Sequence, residues 1–157
     1  MKKILWIEDE ATADMRNLAG PLYDSGQYDL VVAFNASEGE RQMMKSEFDA
    51  VVVDIRIPPG SDQRWIKLYS QSGQNKIMAR LGLQLLYSLL KPEMARVKLD
   101  SRPTWITPER FGLLTVETRK EVEEDLKNLH IQVSREKTEK LPFNTLVEII
   151  EDVLTNY

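Results

Sequence analysis

Two apolar runs in this chain end in carboxylates, and this restricts the fold more than any other feature. Ile4-Leu5-Trp6-Ile7 leads into Glu8-Asp9-Glu10, and Phe48-Asp49-Ala50-Val51-Val52-Val53 leads into Asp54 and then Ile55-Arg56-Ile57-Pro58. A charge drawn into an apolar strand is costly unless it is compensated. At the C-terminal end of a parallel strand it escapes that cost, because open α/β sheets face their ligand crevice there. Several acidic oxygens meeting at such an edge repel one another, and a divalent cation with oxygen ligands relieves the repulsion. The expected chemistry is a Mg²⁺-type oxygen site on the edge of a sheet. Taken alone, Glu8-Asp9-Glu10 also suits a helix start, where acidic side chains complement the dipole. Asp54 in the corresponding place of another strand favours the metal site, with Glu10 left as a helix-start residue.

The rest of the composition narrows the class. The chain has 157 residues, no cysteine and a net charge of −4. It is long enough for one domain with a proper core, and disulfides, thiolate nucleophiles and zinc–thiolate sites are excluded. Acids and bases are interleaved, without the basic stripe of a nucleic-acid surface. Met1-Lys2-Lys3 opens into an apolar run too short for a signal peptide or a membrane span. A cytoplasmic protein is expected.

Short β-like runs alternate with longer helical periods, so the expected fold is α/β: a doubly wound five-stranded parallel sheet with helices on both faces. The first strand is read at Lys3–Glu8, followed by a helix over Ala11–Tyr23 with Met15, Leu18 and Leu22 on one face and Pro21 disturbing its last turn. A strand at Tyr28–Phe34 and a helix over Ser37–Ser46 follow, with Ser37 and Glu40 as a capping box. The third strand is Ala50–Asp54. Residues 59–79 are too many for an ordinary βα loop and read as an inserted loop carrying a basic–aromatic cluster, Arg64, Trp65, Lys67 and Tyr69. That cluster is either a docking loop or lid, or a surface loop covering part of the domain. A helix over Arg80–Lys91, a strand at Pro103–Thr107 and a helix over Val116–Asn128 come next. The fifth strand is His130–Ser134, where the lone His130 is packed or solvated, and the last helix is Pro142–Leu154. Trp6 and Trp105 are assigned to strands and to the core.

Together these motifs resemble the receiver domain of response regulators in two-component signalling, a flavodoxin-like fold. The resemblance rests on Ile-Leu-Trp-Ile-Glu-Asp-Glu at the first strand, Asp-Ala-Val-Val-Val-Asp-Ile-Arg-Ile-Pro at the third, and Thr-Trp-Ile-Thr-Pro-Glu at the fourth. It implies an acidic pair at Glu8 and Asp9, a phosphoacceptor at Asp54, a following proline at Pro58 and a switch hydroxyl at Thr107. An aspartate can act as nucleophile and form an acyl phosphate, and Asp54 ends the most apolar strand. Glu8, Asp9, Asp54 and the backbone carbonyl of Arg56 are the expected Mg²⁺ ligands. The phosphate-binding lysine of the family is assigned to Lys137, with Lys140 and Arg135 competing for the role. Implied partners are a histidine kinase or phosphotransfer protein and a downstream protein target, with homodimerisation left open and neither direct nucleic-acid contact nor membrane expected. The role is regulatory rather than enzymatic. One alternative is a pseudo-receiver acting as a phosphorylation-independent interaction module. The other, an aspartyl phosphatase, is weakened by Arg56, which stands where such enzymes commonly carry a second Asp.

Overall fold

The computed structural model describes residues 1–10, 16–138 and 140–156. Its centre is a sheet of five parallel strands in the order β2-β1-β3-β4-β5. The strands are β1 (Lys2–Ile7), β2 (Tyr28–Ala33), β3 (Ala50–Val53), β4 (Phe111–Thr115) and β5 (Val133–Glu136). The helices are α1 (Arg16–Ser25), α2 (Ala36–Lys45), α3 (Gln63–Gln71), α4 (Lys76–Ala79), α5 (Leu81–Leu90), α6 (Arg119–Leu129) and α7 (Thr145–Leu154).

The two-residue alternation of the strands sorts the core into two layers. On one face Ile4, Trp6, Val52 and Leu114 pack against Leu18 and Leu22 of α1 and Leu146, Ile149, Ile150 and Val153 of α7. On the other, Leu5, Ile7, Val51, Val53 and Leu113 meet Met43 of α2, Leu85 and Leu89 of α5, and Val122 and Leu126 of α6. β3 is buried along its whole length, as a central parallel strand covered on both faces should be. Met15, assigned to the inner face of the first helix, lies outside the described residues.

Several sequence expectations are corrected. The fourth strand is Phe111–Thr115 and not Pro103–Thr107. Thr107 instead precedes a 3₁₀ turn over Pro108–Arg110 that feeds into β4. The true strand contains Gly112, a residue that weakens strand signals. Here it is needed, because a Cβ at Gly112 would lie 3.0 Å from methyl groups of Ile149 and Val153 on α7. Trp105 lies outside any strand, half-buried, with its ring edge-on to Phe48 at 6.1 Å. The fifth strand begins later than expected, and His130 is the left-handed C-cap of α6 at φ 60°. The cap of α2 is Asn35, whose side chain accepts from Glu38 N–H, and not Ser37 with Glu40. α7 starts at Thr145, after Pro142.

Residues 59–79 are mostly helical. Asp62 caps α3, Trp65 and Leu68 of that helix are buried, and Trp65 Nε1 donates to Glu40 Oε1 at 2.7 Å. Arg64 is held between Glu40 and Asp62, at 2.8 Å from each. Two members of the basic–aromatic cluster, Arg64 and Trp65, are therefore tied to Glu40 on α2, while Lys67 is exposed. Asn75 caps the short α4, and Arg80, at φ 48°, turns the chain into α5. α5 begins directly over the end of β3. Gly82 N–H donates to Ile55 O at 2.9 Å, and a Cβ at Gly82 would sit 1.9 Å from the Asp54 carbonyl oxygen. Only glycine permits this approach.

Candidate functional site

Glu8, Asp9 and Asp54 meet at the C-terminal edge of the sheet because β1 and β3 are hydrogen-bonded neighbours in register, with Ile7 opposite Val53. Asp54 N–H donates to Ile7 O at 3.0 Å, extending the ladder by one residue. One ligand oxygen from each of the three carboxylates lies within 4.8 Å of the others. Glu8 is fully buried, Asp54 nearly so, and Asp9 lies towards the rim. Three hard oxygen donors at this spacing suit a divalent cation that retains water ligands.

Two lysines supply positive charge to this cluster. Lys137 follows β5, and its backbone N–H donates to Thr115 O at 2.7 Å. That bond carries its side chain inward, where Nζ lies 2.9 Å from Asp54 Oδ2 and also forms an ion pair with Glu8. Of Lys137, Lys140 and Arg135, only Lys137 reaches Asp54. Arg135 pairs with Glu148 and Asp152 on α7, and Lys140 is exposed. The second cation has no signal in the sequence: Lys76, on α4, donates to Asp9 Oδ2 at 2.6 Å.

The electrostatics follow from burial. Desolvation drives the Glu8 carboxyl up to about 8, the Asp54 charge adds to the rise, and Lys137 opposes it. Burial alone would pull the Lys137 ammonium down, but the Asp54 and Glu8 charges and hydrogen bonds outweigh it and hold the ammonium above ordinary lysine. The hydrogen bond to Asp9 does most to raise the Lys76 ammonium.

Thr107 is not at this edge. It precedes the N-terminal end of β4, on the order of 15 Å away along a strand that rises about 3.3 Å per residue. The hydroxyl at the site's edge belongs to Thr115, the last residue of β4 and fully buried. Val53 pairs with Leu113, which puts Thr115 just beyond the level of Asp54. Thr115 Oγ1 accepts from Glu117 N–H at 3.3 Å.

Arg56 N–H donates to Asp54 Oδ1 at 3.3 Å, while its side chain turns away to Glu117 Oε2 at 3.2 Å. Arg80 grips the same buried carboxylate at 2.6 Å and reaches Asp125 at 3.5 Å. Glu117 thus joins the end of β4 to the loop after β3 and to the α4–α5 junction. The sequence carried a signal for it: Leu113-Leu114-Thr115-Val116-Glu117 is a third apolar run ending in an acid. Lys76 had no comparable signal.

No family model and no curated protein matches the sequence. Solved structures do match. The receiver domain of the Francisella response regulator 1452 superposes with a TM-score of 0.62 at 20% identity, covering 99% of this chain and 96% of that one. A CheY-like receiver domain protein from Methanospirillum hungatei gives 0.59 at 18% identity, covering 99% and 94%. The response regulator TrrA from Thermotoga maritima, solved in complex with Mg²⁺ and BeF, gives 0.56 at 20% identity, covering 98% and 99%. The chain has the receiver fold.

Within a receiver fold, the acidic edge described above occupies the crevice at the C-terminal ends of the central strands, where open α/β sheets bind ligands. The likeness extends over the full sheet, with all five strands parallel. Among the described residues, no helix is long and apolar enough to cross a membrane.

Proposed function

We propose that the chain is a phosphoacceptor receiver of a two-component or phosphorelay system, with Asp54 as the acceptor. The observation that carries this reading is Asp54 itself. It directly follows the buried strand β3, shares a 4.8 Å acidic cluster with Glu8 and Asp9, and faces a lysine ammonium at 2.9 Å.

In this reading Asp54 attacks the phosphorus of a phosphohistidine or small acyl phosphate. A P–O bond forms to the carboxylate while the bond to the leaving group breaks, and the leaving nitrogen or oxygen takes up the electron pair and then a proton. The Lys137 ammonium, 2.9 Å from Asp54 Oδ2, lies beside the attacking carboxylate. Glu8, Asp9, Asp54 and the Arg56 carbonyl would hold Mg²⁺, which supplies charge neutralisation at the transferring phosphoryl oxygens. Lys137 then serves the product as a point-charge donor to a phosphoryl oxygen. Thr115, in place of Thr107, is the hydroxyl within the same edge that a phosphoryl group of about −1.5 to −2 charges would draw in. The role is regulatory, exercised through a kinase or phosphotransfer donor and a downstream protein target.

Treatment with acetyl phosphate and Mg²⁺ should add one phosphoryl group, stable to acid and labile to base. No adduct, or an adduct that persists in Asp54→Asn, overturns the reading.

A pseudo-receiver remains the second reading, favoured by one observation. Two ammonium groups, those of Lys76 and Lys137, already balance the acidic cluster. A chain of that kind would keep its partner contacts in Asp54→Asn.

A further inference from the structure

Four residues of α4 carry Lys76 to Asp9 across 67 positions of sequence. The backbone on either side of the segment sets where that side chain lies. On one side Gly73 and Gln74 have φ of 85° and 53°, and on the other Arg80 has φ of 48°. Left-handed residues at both ends make local reversals, so α4 is a short rod between two corners. Asn75 accepts from Ile77 N–H at 2.8 Å, which fixes the rod's own first turn. Beyond α4 the chain is anchored firmly, through Arg80 on Glu117 and Gly82 on Ile55. Within α4, Ala79 is buried, while Ile77 and Met78 are 55% and 70% exposed. Among the described residues, the polar side-chain tie from α4 to the acidic edge is thus the Lys76–Asp9 pair.

We propose that Lys76 is a built-in competitor of the divalent cation for Asp9, so that loading the metal releases α4. The inference rests on the metal site of the reading above and adds what controls it. An ammonium at 2.6 Å from Asp9 Oδ2 already engages a carboxylate that a divalent ion would use, and two cations on one carboxylate repel each other. The linkage is reciprocal: whatever factor Lys76 subtracts from metal affinity, the metal subtracts from α4 docking. Residues 59–79 thereby acquire a function that a plain covering loop lacks. They report the state of the acidic edge through the position of an exposed apolar pair, Ile77 and Met78.

The test is a Mg²⁺ titration by calorimetry of the full chain and of Lys76→Met, Lys76→Arg and Asp54→Asn, with hydrogen exchange of residues 72–80 followed in parallel. Lys76 is a rim residue, so its variants should keep the fold. Lys76→Met should bind Mg²⁺ about tenfold more tightly than the natural chain, in the range of ordinary coupling energies. Lys76→Arg should stay near the natural value. Mg²⁺ should speed exchange in 72–80 of the natural chain, and Lys76→Met should show that faster exchange without Mg²⁺. Equal or weaker Mg²⁺ affinity in Lys76→Met overturns the inference. If that affinity is also abolished by Asp54→Asn, the metal site of the proposed function still stands. If neither the natural chain nor Lys76→Met binds Mg²⁺, the competitor and the metal site fall together.

Discussion

The Lys137 ammonium lies 2.9 Å from Asp54 Oδ2, bridging 83 residues of chain, and the side chains on both sides are nearly buried. A buried ion pair of this kind adds little net stability relative to apolar replacements, but breaking it leaves an uncompensated charge. The same ammonium also pairs with Glu8.

Lys137→Met should therefore destabilise the protein by about 3 kcal/mol, the low end for removing one partner of a buried pair. Urea unfolding without divalent ions checks this. A change below about 0.5 kcal/mol would mean that the ammonium is not the charge that balances Glu8 and Asp54.

The pH dependence has a definite sign. An unfolded Glu8 titrates at its ordinary 4.5, whereas burial raises it to about 8 in the fold. Between those values the folded chain keeps a proton that the unfolded chain has lost. Stability from this group is therefore fully present below about 4.5 and is lost as pH rises through about 8. The slope is at most ~1.4 kcal/mol per pH unit for one proton. Glu8→Gln should flatten the decline between pH 5 and 8 in thermal unfolding curves. An unchanged slope would remove Glu8 as its source.

Glu117 anchors Arg56 and Arg80 from a buried position. Hydrogen bonds to charged groups are worth about 1.5–3 kcal/mol, so Glu117→Gln should cost about 2 kcal/mol in chemical denaturation. The control is Lys127→Ala, which breaks an exposed pair to Glu123 at 3.9 Å and should cost no more than about 0.5 kcal/mol. Equal effects would mean that burial does not distinguish the two contacts.

Gly82→Ala tests the seating of α5 on the acceptor strand. In an exposed helix, Ala is about 1 kcal/mol better than Gly. At position 82 the added methyl would fall on the Asp54 carbonyl, and overpacking of this sort costs about 1–3 kcal/mol. A stabilised Gly82→Ala variant would show that α5 does not pack on the Asp54 backbone.

The sheet was legible because its signals were local. Ile4–Ile7 and Ala50–Val53 are apolar runs with acids at their ends, and the register of two parallel neighbours brings those ends together. The fourth strand is obscured in the sequence because Pro103–Thr107 offers β-forming Thr, Trp and Ile, while the real strand hides behind Gly112. The reason for that glycine lies in α7, some forty residues downstream (a contact no local window contains). The same ambiguity displaced the hydroxyl from Thr115 to Thr107. Lys137 was reachable by counting past the fifth strand, although that strand was placed too early. Lys76 was not, because its partner Asp9 is brought near by the path of residues 59–79 and not by any periodicity.

The most direct measurement is chemical trapping at residue 54. Borohydride reduces an aspartyl phosphate to homoserine, so the chain is incubated with acetyl phosphate and Mg²⁺, reduced and mapped by peptide mass spectrometry. Homoserine at position 54, dependent on Mg²⁺, is the outcome this account predicts. A fully unmodified Asp54, or homoserine at another aspartate, would contradict it.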